Sequence, residues 1–514
     1  MSGRPAFYIT TPIYYVNDVP HIGHAYTTLA CDVLARFKRL DGYDVMFLTG
    51  TDEHGQKVEK SARAAGKDPQ AFCDEVAGNF RALADLLGFS NDDFIRTTEP
   101  RHIASSQAIW RALVDAGEIY LDKYAGWYSV RDEAFYDESE LVTDPDGARR
   151  APSGAPVEWV EEPSYFFRLS AWRDRLLDHY RAHPDFVLPE TRFNEVLSFV
   201  EGGLKDLSVS RTSFRWGVPV PGDGDHIIYV WLDALTNYIT AVGYPDKTCA
   251  KFRTYWPADL HVVGKDILRF HAVYWPAFLM AAGLEPPRRI FAHGWWTNEG
   301  EKISKSLGNI IDPIKLVERY GLDQVRYFLM REVPFGNDGD FSHRAMVHRI
   351  NGDLANDFGN LAQRVLSMIN RNCEGRVPRP GTLTEDDEAL LAAARGAIEE
   401  MRAELAEQAI HRALAALWRV VGAANRYVDG QAPWALRTSD PDRMATVLYV
   451  LAETVRRLAI LAQPVVPGAA GRLLDQLAVP GERRTFADLE TAALTPGTAL
   501  PKPKGVFPRH IEPE

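Results

Sequence analysis

The chain carries two short polar motifs, and the first has residue types suited to binding phosphate groups. It is His21-Ile22-Gly23-His24, which lies where an apolar run gives way to a helical pattern. Backbone N–H groups and the positive end of a helix gather at such a junction, so anions bind there well. Gly23 lets a flat ligand approach the backbone. On its own, however, the motif is more typical of two polar residues that cap a helix.

The second motif is a basic loop far along the chain, Lys302-Ile303-Ser304-Lys305-Ser306-Leu307-Gly308-Asn309. Two lysines in a Ser- and Gly-rich loop could neutralise a departing pyrophosphate. Lysine is a mobile point charge, which suits a loop that changes conformation during a reaction. Taken alone, the loop is more typical of a solvated basic turn.

The sequence around the first motif predicts the scaffold that must position it. Phe7–Thr10 is a short apolar run typical of a buried strand, and Asp44–Leu48 is a second one. Between them, apolar residues recur at helical spacing from Ala25 to Leu40, and Gly42 closes that helix. A strand, a helix and a strand in this order predict the beginning of a parallel α/β sheet.

The rest of the chain predicts a sheet in two halves and a helical region. Residues 123–225 are rich in aromatics, Pro and Gly and poor in periodicity, which indicates an insertion. The α/β character returns at Ile227–Trp231 and Leu260–Val263, with a helix at Asp266–Ala282 and a strand at Arg289–Ala292. After Gly321 the pattern is almost entirely helical and favours an antiparallel bundle. The predicted fold class is α/β, a Rossmann-like parallel sheet split by an inserted module and followed by an α-helical bundle. The expected boundaries are 1–122 and 226–296 for the two sheet halves, 123–225 for the insertion, 297–349 for a loop and linker, 350–494 for the bundle and 495–514 for an extended tail.

Composition narrows the class of protein. The 514 residues are 46% hydrophobic and 25% charged, which is ordinary for two to four globular domains. With 58 Lys and Arg against 70 Asp and Glu, the net charge is −12, which excludes a uniformly basic nucleic-acid coat but not a local basic path. The four cysteines form no CxxC pair. The N-terminus lacks a signal-peptide layout, and no apolar run approaches the length of a membrane helix. We therefore expect a cytoplasmic protein with no membrane partner.

Together the two motifs are far more specific than either alone. On an α/β sheet with a helical C-terminal region, they resemble class I aminoacyl-tRNA synthetases. Four further stretches narrow the resemblance to the bacterial-type methionyl family: Tyr14–Asn17, Gly50–Gly55, Tyr229–Ala234 and Gly264–His271. The resemblance covers the chain to about residue 495. It implies that the methionine carboxylate attacks the α-phosphorus of ATP, and that methionine then passes from the adenylate to the terminal adenosine of tRNA(Met).

The resemblance also assigns residues to ATP. The catalytic set is His21, His24, Lys302 and Lys305, with Lys305 the stronger candidate for holding pyrophosphate. The wider ATP-binding set adds Gly23, Gly264, Asp266 and Ser304. Asp266 would accept hydrogen bonds from ribose hydroxyls, although it is also a good helix N-cap. Mg²⁺ is expected to accompany ATP.

Methionine requires an anion for its ammonium group and an apolar pocket for its thioether. By resemblance, Asp52 is the ammonium ligand, and the pocket comprises Ile13, Tyr15, Trp231, Ala234, Leu235, Tyr238, Ile267 and His271. Aromatic rings suit sulfur, and Tyr15 or His271 could donate a hydrogen bond to it. Without the motifs, these residues would be read simply as core. Leu235 departs from the family, in which many members carry Pro, so its contact with methionine stays open.

The resemblance places the anticodon-binding residues in the helical region. Asn360 and Arg364 lie four apart on one helix face, and Trp434 lies at a helix start. RNA loops are read by stacking of splayed bases on aromatics and by hydrogen bonds at the base edges. These three residues match the family's readers of the CAU anticodon. The alternative is a surface pair and an ordinary packing Trp.

Two departures from the family lead to further expectations. Many relatives carry zinc-binding CxxC knuckles in the insertion, whereas this chain has Ser129 and Asp132 at the corresponding positions. Serine is a poor zinc ligand, so no zinc and no other metal held by protein side chains is predicted, and the knob is expected to be held by packing of Trp127, Tyr128, Phe135 and Tyr136. The chain also ends at Glu514 without the dimerisation module of some relatives, which favours a monomer.

Rival functions fit less well. Synthetases for isoleucine, leucine and valine carry a large editing domain, and the insertion here is only about 100 residues by the boundaries above. The cysteinyl enzyme needs a zinc thiolate site that the cysteine spacing does not supply. Nucleotidylyltransferases share the HxGH sheet but are usually short, and a non-catalytic tRNA-binding relative would not need both motifs. Another class I synthetase without an editing domain remains the alternative.

Overall fold

A computed structural model describes residues 3–16, 20–145, 147–298, 300–302 and 311–511, with the backbone alone for Glu301 and Lys302. The described residues fall into two compact units. One comprises residues 3–5, 21–45 and 293–511, and the other comprises residues 6–20 and 46–292. No helix in the described ranges has both the length and the apolar character needed to cross a membrane.

The strands have the following bounds. They are β1 (Ala6–Thr10), β2 (Tyr14–Tyr15), β3 (Asp44–Asp52), β4 (Asp93–Arg96), β5 (Ile119–Ser129), β6 (Ala134–Tyr136), β7 (Val142–Thr143), β8 (Arg149–Arg150), β9 (Glu158–Phe167), β10 (Val187–Leu188), β11 (Leu207–Ser208), β12 (Ser210–Arg211), β13 (Pro219–Val220), β14 (Asp223–Ile228), β15 (Leu260–Gly264), β16 (Ile290–His293), β17 (Trp296–Asn298), β18 (Glu301–Lys302) and β19 (Gly339–Phe341).

The helices have the following bounds. They are α1 (Ile22–Leu40), α2 (Gln56–Ala64), α3 (Pro69–Leu86), α4 (Pro100–Asp115), α5 (Arg173–Ala182), α6 (Glu190–Glu201), α7 (Val230–Leu235), α8 (Asn237–Thr240), α9 (Ala250–Tyr255), α10 (Trp275–Ala281), α11 (Pro313–Tyr320), α12 (Leu322–Arg331), α13 (His343–Arg349), α14 (Asn360–Asn372), α15 (Glu385–Ala406), α16 (Ile410–Gln431), α17 (Pro433–Ser439), α18 (Pro441–Ala462), α19 (Pro467–Gln476) and α20 (Asp488–Thr491). Two π-helical segments in the described residues occupy Phe270–Tyr274 and Ile350–Gly359.

The second unit is built on the expected Rossmann-like sheet. Its strand order is β10-β16-β15-β1-β3-β2, and β4 also pairs with β3. The pairs with a defined register are parallel, for example Ile9 with Leu260 and Tyr14 with Thr51. The strands are nearly continuous apolar runs with buried side chains, as is typical of a parallel sheet covered on both faces. The carboxyl ends of β1, β3 and β15 lead to the site residues.

The expected insertion contains an antiparallel sheet of order β11-β9-β5-β6. Its long pair, β5 with β9, runs in continuous register from Ile119 opposite Phe167 to Tyr128 opposite Glu158. The insertion is not wholly separate from the parallel sheet, because β10 pairs in parallel with β16 and forms an edge of that sheet. The predicted range 123–225 therefore interrupts β5 and includes one strand of the Rossmann-like sheet.

The stretch Ile227–Trp231, at which α/β character was expected to return, is divided between a strand and a helix. Ile227–Trp231 does not enter the parallel sheet, because β14 ends at Ile228 and pairs antiparallel with β12 and β13. Trp231 lies instead in helix α7. A short, fully buried apolar run has the same pattern in a strand and in a helix, so periodicity alone could not separate the two. The predicted helix at Asp266–Ala282 is likewise divided into a 3₁₀ turn, a π-helical turn and α10.

The first unit is mainly helical, as expected for the C-terminal region, and also contains helix α1. The predicted apolar stripe of α1 is buried, and the helix ends at Leu40 before Gly42, whose φ is +87°. Asp32 of α1 forms a buried ion pair with Arg326 of α12, with 2.7 Å between Oδ2 and Nη2. Arg326 also donates to the carbonyl oxygens of Pro464 and Val465. These contacts join α1 to the helices that follow residue 321.

Candidate active site and anticodon-binding residues

The first motif forms the N-terminus of α1. His21 is the N-cap residue, with φ −130° and ψ 177°, and its Nδ1 accepts from the backbone N–H of Gly23 at 3.1 Å. The Nδ1 atom of His24 accepts from the backbone N–H of His21, also at 3.1 Å. The two rings lie with their centres 3.8 Å apart. A Cβ atom on residue 23 would lie 3.0 Å from the His21 ring, so glycine leaves room for this cap.

The capping bonds determine which ring nitrogens can donate. Burial, together with the His21 imidazole, lowers the pKa of His24 well below its usual value, so the ring is neutral near pH 7. Because Nδ1 accepts in both rings, each neutral imidazole carries its proton on Nε2. The cap thus provides two Nε2–H donors beside the positive end of a helix, which is an arrangement suited to phosphate oxygens.

The second motif lies almost wholly outside the described residues, which exclude 303–310 and so both Ser304 and Lys305. The backbone of Lys302 ends β18, which pairs antiparallel with β17 through Thr297. Helix α1 contacts the segment that precedes this hairpin. Thr27 Oγ1 lies 2.7 Å from Nε2 of His293, and the Tyr26 ring meets Trp296 edge to face. The elements that carry the two motifs therefore belong to one compact unit.

Asp52 ends strand β3 as a buried carboxylate. Its side chain is 6% exposed, and Oδ1 accepts no hydrogen bond from any described residue. Burial raises the pKa of Asp52 well above its usual value, and the nearby carboxylates of Asp233 and Glu133 raise it further. A cationic group at this position would relieve the repulsion and provide a partner for Oδ1. This environment is compatible with the predicted role of Asp52 as a ligand of an ammonium group.

A buried His–Asp–His network next to Asp52 was not predicted from the sequence. The Asp233 carboxylate lies 2.7 Å from Nδ1 of His54 and 2.6 Å from Nε2 of His102, and all three residues are buried. Burial alone would raise the pKa of Asp233, but the two imidazoles outweigh it and hold the pKa at about 2. Asp233 therefore stays ionised, and its bond to His54 connects helix α7 to the residues that follow β3.

His271 and Tyr238 form a second buried pair among the predicted pocket residues. His271 Nδ1 lies 2.9 Å from the carbonyl oxygen of Ile267, which can only accept, so Nδ1 carries the proton. Burial lowers the pKa of His271 to about 4, so the ring is neutral and Nε2 accepts from the Tyr238 hydroxyl at 2.8 Å. Both ring nitrogens are thus engaged within the protein. In this conformation His271 has no N–H available for the methionine sulfur.

The remaining predicted pocket residues differ in burial. The Trp231 ring stacks on Phe270 with centres 3.7 Å apart and faces the edge of His271. Ile13, Tyr15, Trp231 and Ile267 are partly buried against one apolar core, which also contains Leu235 and Tyr238. Ala234 is 4% and Leu235 1% exposed, so the Leu235 side chain is directed into the core.

The predicted ribose ligand follows the end of β15. Gly264 is the cap residue of a 3₁₀ turn that contains Asp266, which is exposed. A Cβ atom on residue 264 would lie 2.5 Å from Oδ1 of Asp266, so glycine allows this carboxylate to fold back over the strand end. Asp266 lies within this turn, and the N-cap position predicted for it is occupied by Gly264.

The structure brings two of the three predicted anticodon-binding residues together. Asn360 and Arg364 lie on the first turns of α14, where Asn360 is exposed. The Arg364 guanidinium lies over the ring of Trp434 at 5.6 Å and pairs with Asp429 at 3.0 Å. Trp434 is 51% exposed, which is uncommon for a ring of this size and leaves a face for stacking.

Comparison with known proteins identifies the family. A family model described as class I tRNA synthetases (M) matches residues 7–366, and a model described as the anticodon binding domain of methionyl tRNA ligase matches residues 377–514. The chain belongs to the methionyl-tRNA synthetase family. Its anticodon-domain match begins after the predicted boundary of 350 and includes the tail.

Individual relatives of this synthetase family agree over the full chain. The methionine–tRNA ligase of Mesorhizobium japonicum is 61% identical over 510 residues, which is 99% of this chain and 98% of the relative. That of Rhizobium meliloti is 59% identical over the whole of both chains. A structure of Mycobacterium tuberculosis methionyl-tRNA synthetase in complex with methionyl-adenylate is 57% identical, covers 98% of this chain and 100% of its own, and gives a TM-score of 0.96.

Hydrogen bonds hold Ser129 and Asp132, the two residues at the predicted positions of the knuckle cysteines. Ser129 Oγ accepts from the backbone N–H of Asp132 at 3.2 Å, and Asp132 Oδ2 accepts from the Tyr136 hydroxyl at 3.1 Å. Ser153 also bonds Asp132. Within the described ranges, no group of three or more His, Cys, Asp and Glu side chains is placed to hold a metal. The absence of zinc stays a prediction.

Glu133, which follows the knuckle position, was not predicted as a functional residue from the sequence. Its side chain is 5% exposed, and its Oε1 lies 2.5 Å from the hydroxyl of Tyr15, a predicted pocket residue. His54 and Asp233 lie within Gly50–Gly55 and Tyr229–Ala234, two of the stretches that carry the family resemblance. Their position in these stretches was a signal of function. Glu133 carried no such signal, because its partner is 118 residues away in sequence.

Proposed function

We propose that this protein is a methionine–tRNA ligase that forms methionyl-adenylate and pyrophosphate from L-methionine and ATP, and then esterifies tRNA(Met). The observation that carries the proposal is the full-length match to a synthetase structure that holds methionyl-adenylate, at 57% identity and a TM-score of 0.96. The ammonium-type environment of Asp52 supports it independently.

In the first step, a methionine carboxylate oxygen attacks the α-phosphorus of ATP, and pyrophosphate leaves. We assign His21 and His24 to the phosphates, because their capping bonds direct Nε2–H donors from the helix end. Lys302 and Lys305, with Ser304, are assigned to the departing pyrophosphate. Donors of this kind act by stabilising charge that develops in the transition state. Mg²⁺ would be held by phosphate oxygens and water.

The pocket residues orient methionine for that attack. The Asp52 carboxylate would bind the ammonium, and the wall formed by Trp231, Ile267 and His271 would receive the thioether. Thioether sulfur packs favourably against aromatic edges. The buried Tyr238–His271 pair keeps a fixed proton arrangement, so the wall presents the same surface to each substrate. Gly264 and Asp266 are assigned to the ribose of ATP.

In the second step, the 2′-hydroxyl of the terminal adenosine attacks the methionyl carbonyl carbon and AMP leaves. We assign recognition of the CAU anticodon to Asn360, Arg364 and Trp434. The Arg364–Trp434 stack offers both a cation and an exposed ring to a splayed base. We further propose a cytoplasmic monomer, with residues 350–494 forming the anticodon-binding region and 123–225 the knob.

The test is aminoacylation of tRNA(Met) with radiolabelled methionine. The proposal predicts charging of both initiator and elongator tRNA(Met), and loss of charging when the CAU anticodon is changed to CAC. Absence of charging with an intact anticodon, or equal charging of the CAC variant, would contradict it. A matched transcript with a substitution in the variable loop controls for tRNA folding.

A further inference from the structure

Glu133 lies on a turn of the knob, between β5 and β6, in an unusual backbone conformation. Its φ is +48°, in the left-handed region that residues other than glycine rarely adopt. Its carboxylate is nevertheless buried rather than directed to water, with 5% of the residue exposed. A conformation of this kind persists when surrounding contacts hold it, and such positions cluster at functional sites.

The contacts of Glu133 fix it from three directions. Oε1 lies 2.5 Å from the Tyr15 hydroxyl and 3.4 Å from the backbone N–H of Lys57, in the first turn of α2. The backbone carbonyl of Glu133 accepts from the Tyr229 hydroxyl at 2.7 Å. A Cβ atom on Gly55 would lie 2.5 Å from Tyr15 Oη and 2.6 Å from Glu133 Oε1, so the chain approaches both groups closely at a glycine.

The Tyr15 hydroxyl has one proton and two acceptors, the Glu133 carboxylate and the His54 carbonyl oxygen at 2.8 Å. An ionised Glu133 accepts the hydrogen bond from the Tyr15 hydroxyl, because a carboxylate is a stronger acceptor than a carbonyl oxygen. A protonated Glu133 instead donates to the Tyr15 oxygen, and the Tyr15 hydroxyl then donates to the carbonyl oxygen of His54. In either case Glu133 determines the direction of the Tyr15 O–H, and Tyr15 packs against the pocket core.

The charged surroundings agree with a buried functional carboxylate. Burial raises the pKa of Glu133 to about 7, opposed by Tyr15, Lys57 and Arg211. Glu133 in turn raises the pKa of Asp52, the proposed ammonium ligand.

We propose that Glu133 is a positioning residue of the amino-acid pocket, which holds the Tyr15 hydroxyl and thereby sets the pocket for methionine. Glu133 acts through Tyr15 and does not itself contact the substrate. The inference rests on the proposed function, since Tyr15 belongs to the pocket only if the chain activates methionine.

The experiment is methionine-dependent ATP–pyrophosphate exchange on the full chain, with Glu133→Ala, Glu133→Gln, Tyr15→Phe and the double variant Y15F/E133A. Loss of a hydrogen bond to a charged group should raise the KM for methionine about tenfold or more in E133A, with the KM for ATP within about twofold of wild type. Glutamine keeps an acceptor oxygen, so E133Q should stay within about threefold of wild type. In the Y15F background, E133A should change the KM far less than it does in wild type, because the partner hydroxyl is already gone and only the electrostatic effect of Glu133 on Asp52 is left.

A carboxylate on the same segment serves as the matched control. Glu138 is exposed and pairs with Arg149 at the surface, so Glu138→Gln should leave the exchange unchanged. An E133A effect of full size in the Y15F background, or an equal rise in the KM for ATP, would overturn the positioning role. If E133A melts below the assay temperature, all four proteins of the cycle are assayed below its melting temperature. A wild-type protein without methionine-dependent exchange would refute the proposed function itself, whereas normal exchange by E133A would refute only this inference.

Discussion

Replacement of Asp52 by asparagine tests the proposed ammonium ligand most sharply. The substitution keeps the shape and the oxygen acceptor but removes the negative charge. In the structure, Asp52 Oδ1 is buried, accepts no hydrogen bond from the described residues and lies near two other carboxylates. A substrate ammonium would therefore be the main compensation for this buried charge.

The expected magnitude follows from the cost of leaving one member of a buried ion pair without its partner. That cost is about 3–5 kcal/mol. Because asparagine retains an acceptor oxygen, we take the lower value, and about 3 kcal/mol is a factor of about 150 in kcat/KM. Asp122→Asn, at an exposed position, is the matched control and should change kcat/KM by less than about twofold.

The assay is ATP–pyrophosphate exchange, with inhibition by methionine's deamino analogue measured beside it. Wild type should strongly prefer methionine over the analogue, and D52N should lose most of that preference. Because burial and neighbouring carboxylates raise the pKa of Asp52, its ionised form increases as pH rises. The KM for methionine should therefore fall with rising pH in wild type and lose this dependence in D52N. An unchanged preference in D52N would refute the assignment.

Three further predictions address the other assigned residues and the fold. Lys305→Ala should lower kcat of exchange by about 100-fold, as removal of one transition-state donor does, while the KM for methionine stays constant. A weakening of methionine binding as large as the fall in kcat would count against the role of Lys305 in the transition state. Trp434→Ala should reduce kcat/KM for tRNA charging about tenfold or more and leave exchange intact, and a fall in both would make the anticodon assignment wrong. Asp32→Asn removes the carboxylate partner of buried Arg326 and should lower the free energy of unfolding, measured in urea, by about 3–5 kcal/mol. Asp85→Asn, at an exposed position, is the control and should leave the free energy of unfolding unchanged.

The sequence could predict elements whose signal is local. The apolar stripe of α1, its end before Gly42 and the strand that begins at Asp44 all depend on residues within one turn or one run. The Asn360–Arg364 spacing similarly places both residues on one face of α14. Rossmann-like topology followed because parallel strands need helical connections.

The parts that the sequence could not predict depend on long-range contacts. His54 and His102 meet at Asp233 across 179 and 131 residues, and neither imidazole had a recognisable partner in sequence. The engagement of both His271 nitrogens requires the positions of Ile267 and Tyr238 together. Ile227–Trp231 is divided between β14 and α7, because a short run of mostly buried apolar residues has no periodicity that distinguishes a strand from a helix.

The central claim is that this member of the methionyl-tRNA synthetase family activates methionine. The most direct measurement is ATP–pyrophosphate exchange with each of the twenty amino acids separately, in the presence of a zinc chelator. The account predicts exchange with methionine alone, at a rate that the chelator does not change. Exchange with a different amino acid, or with none, would contradict the account.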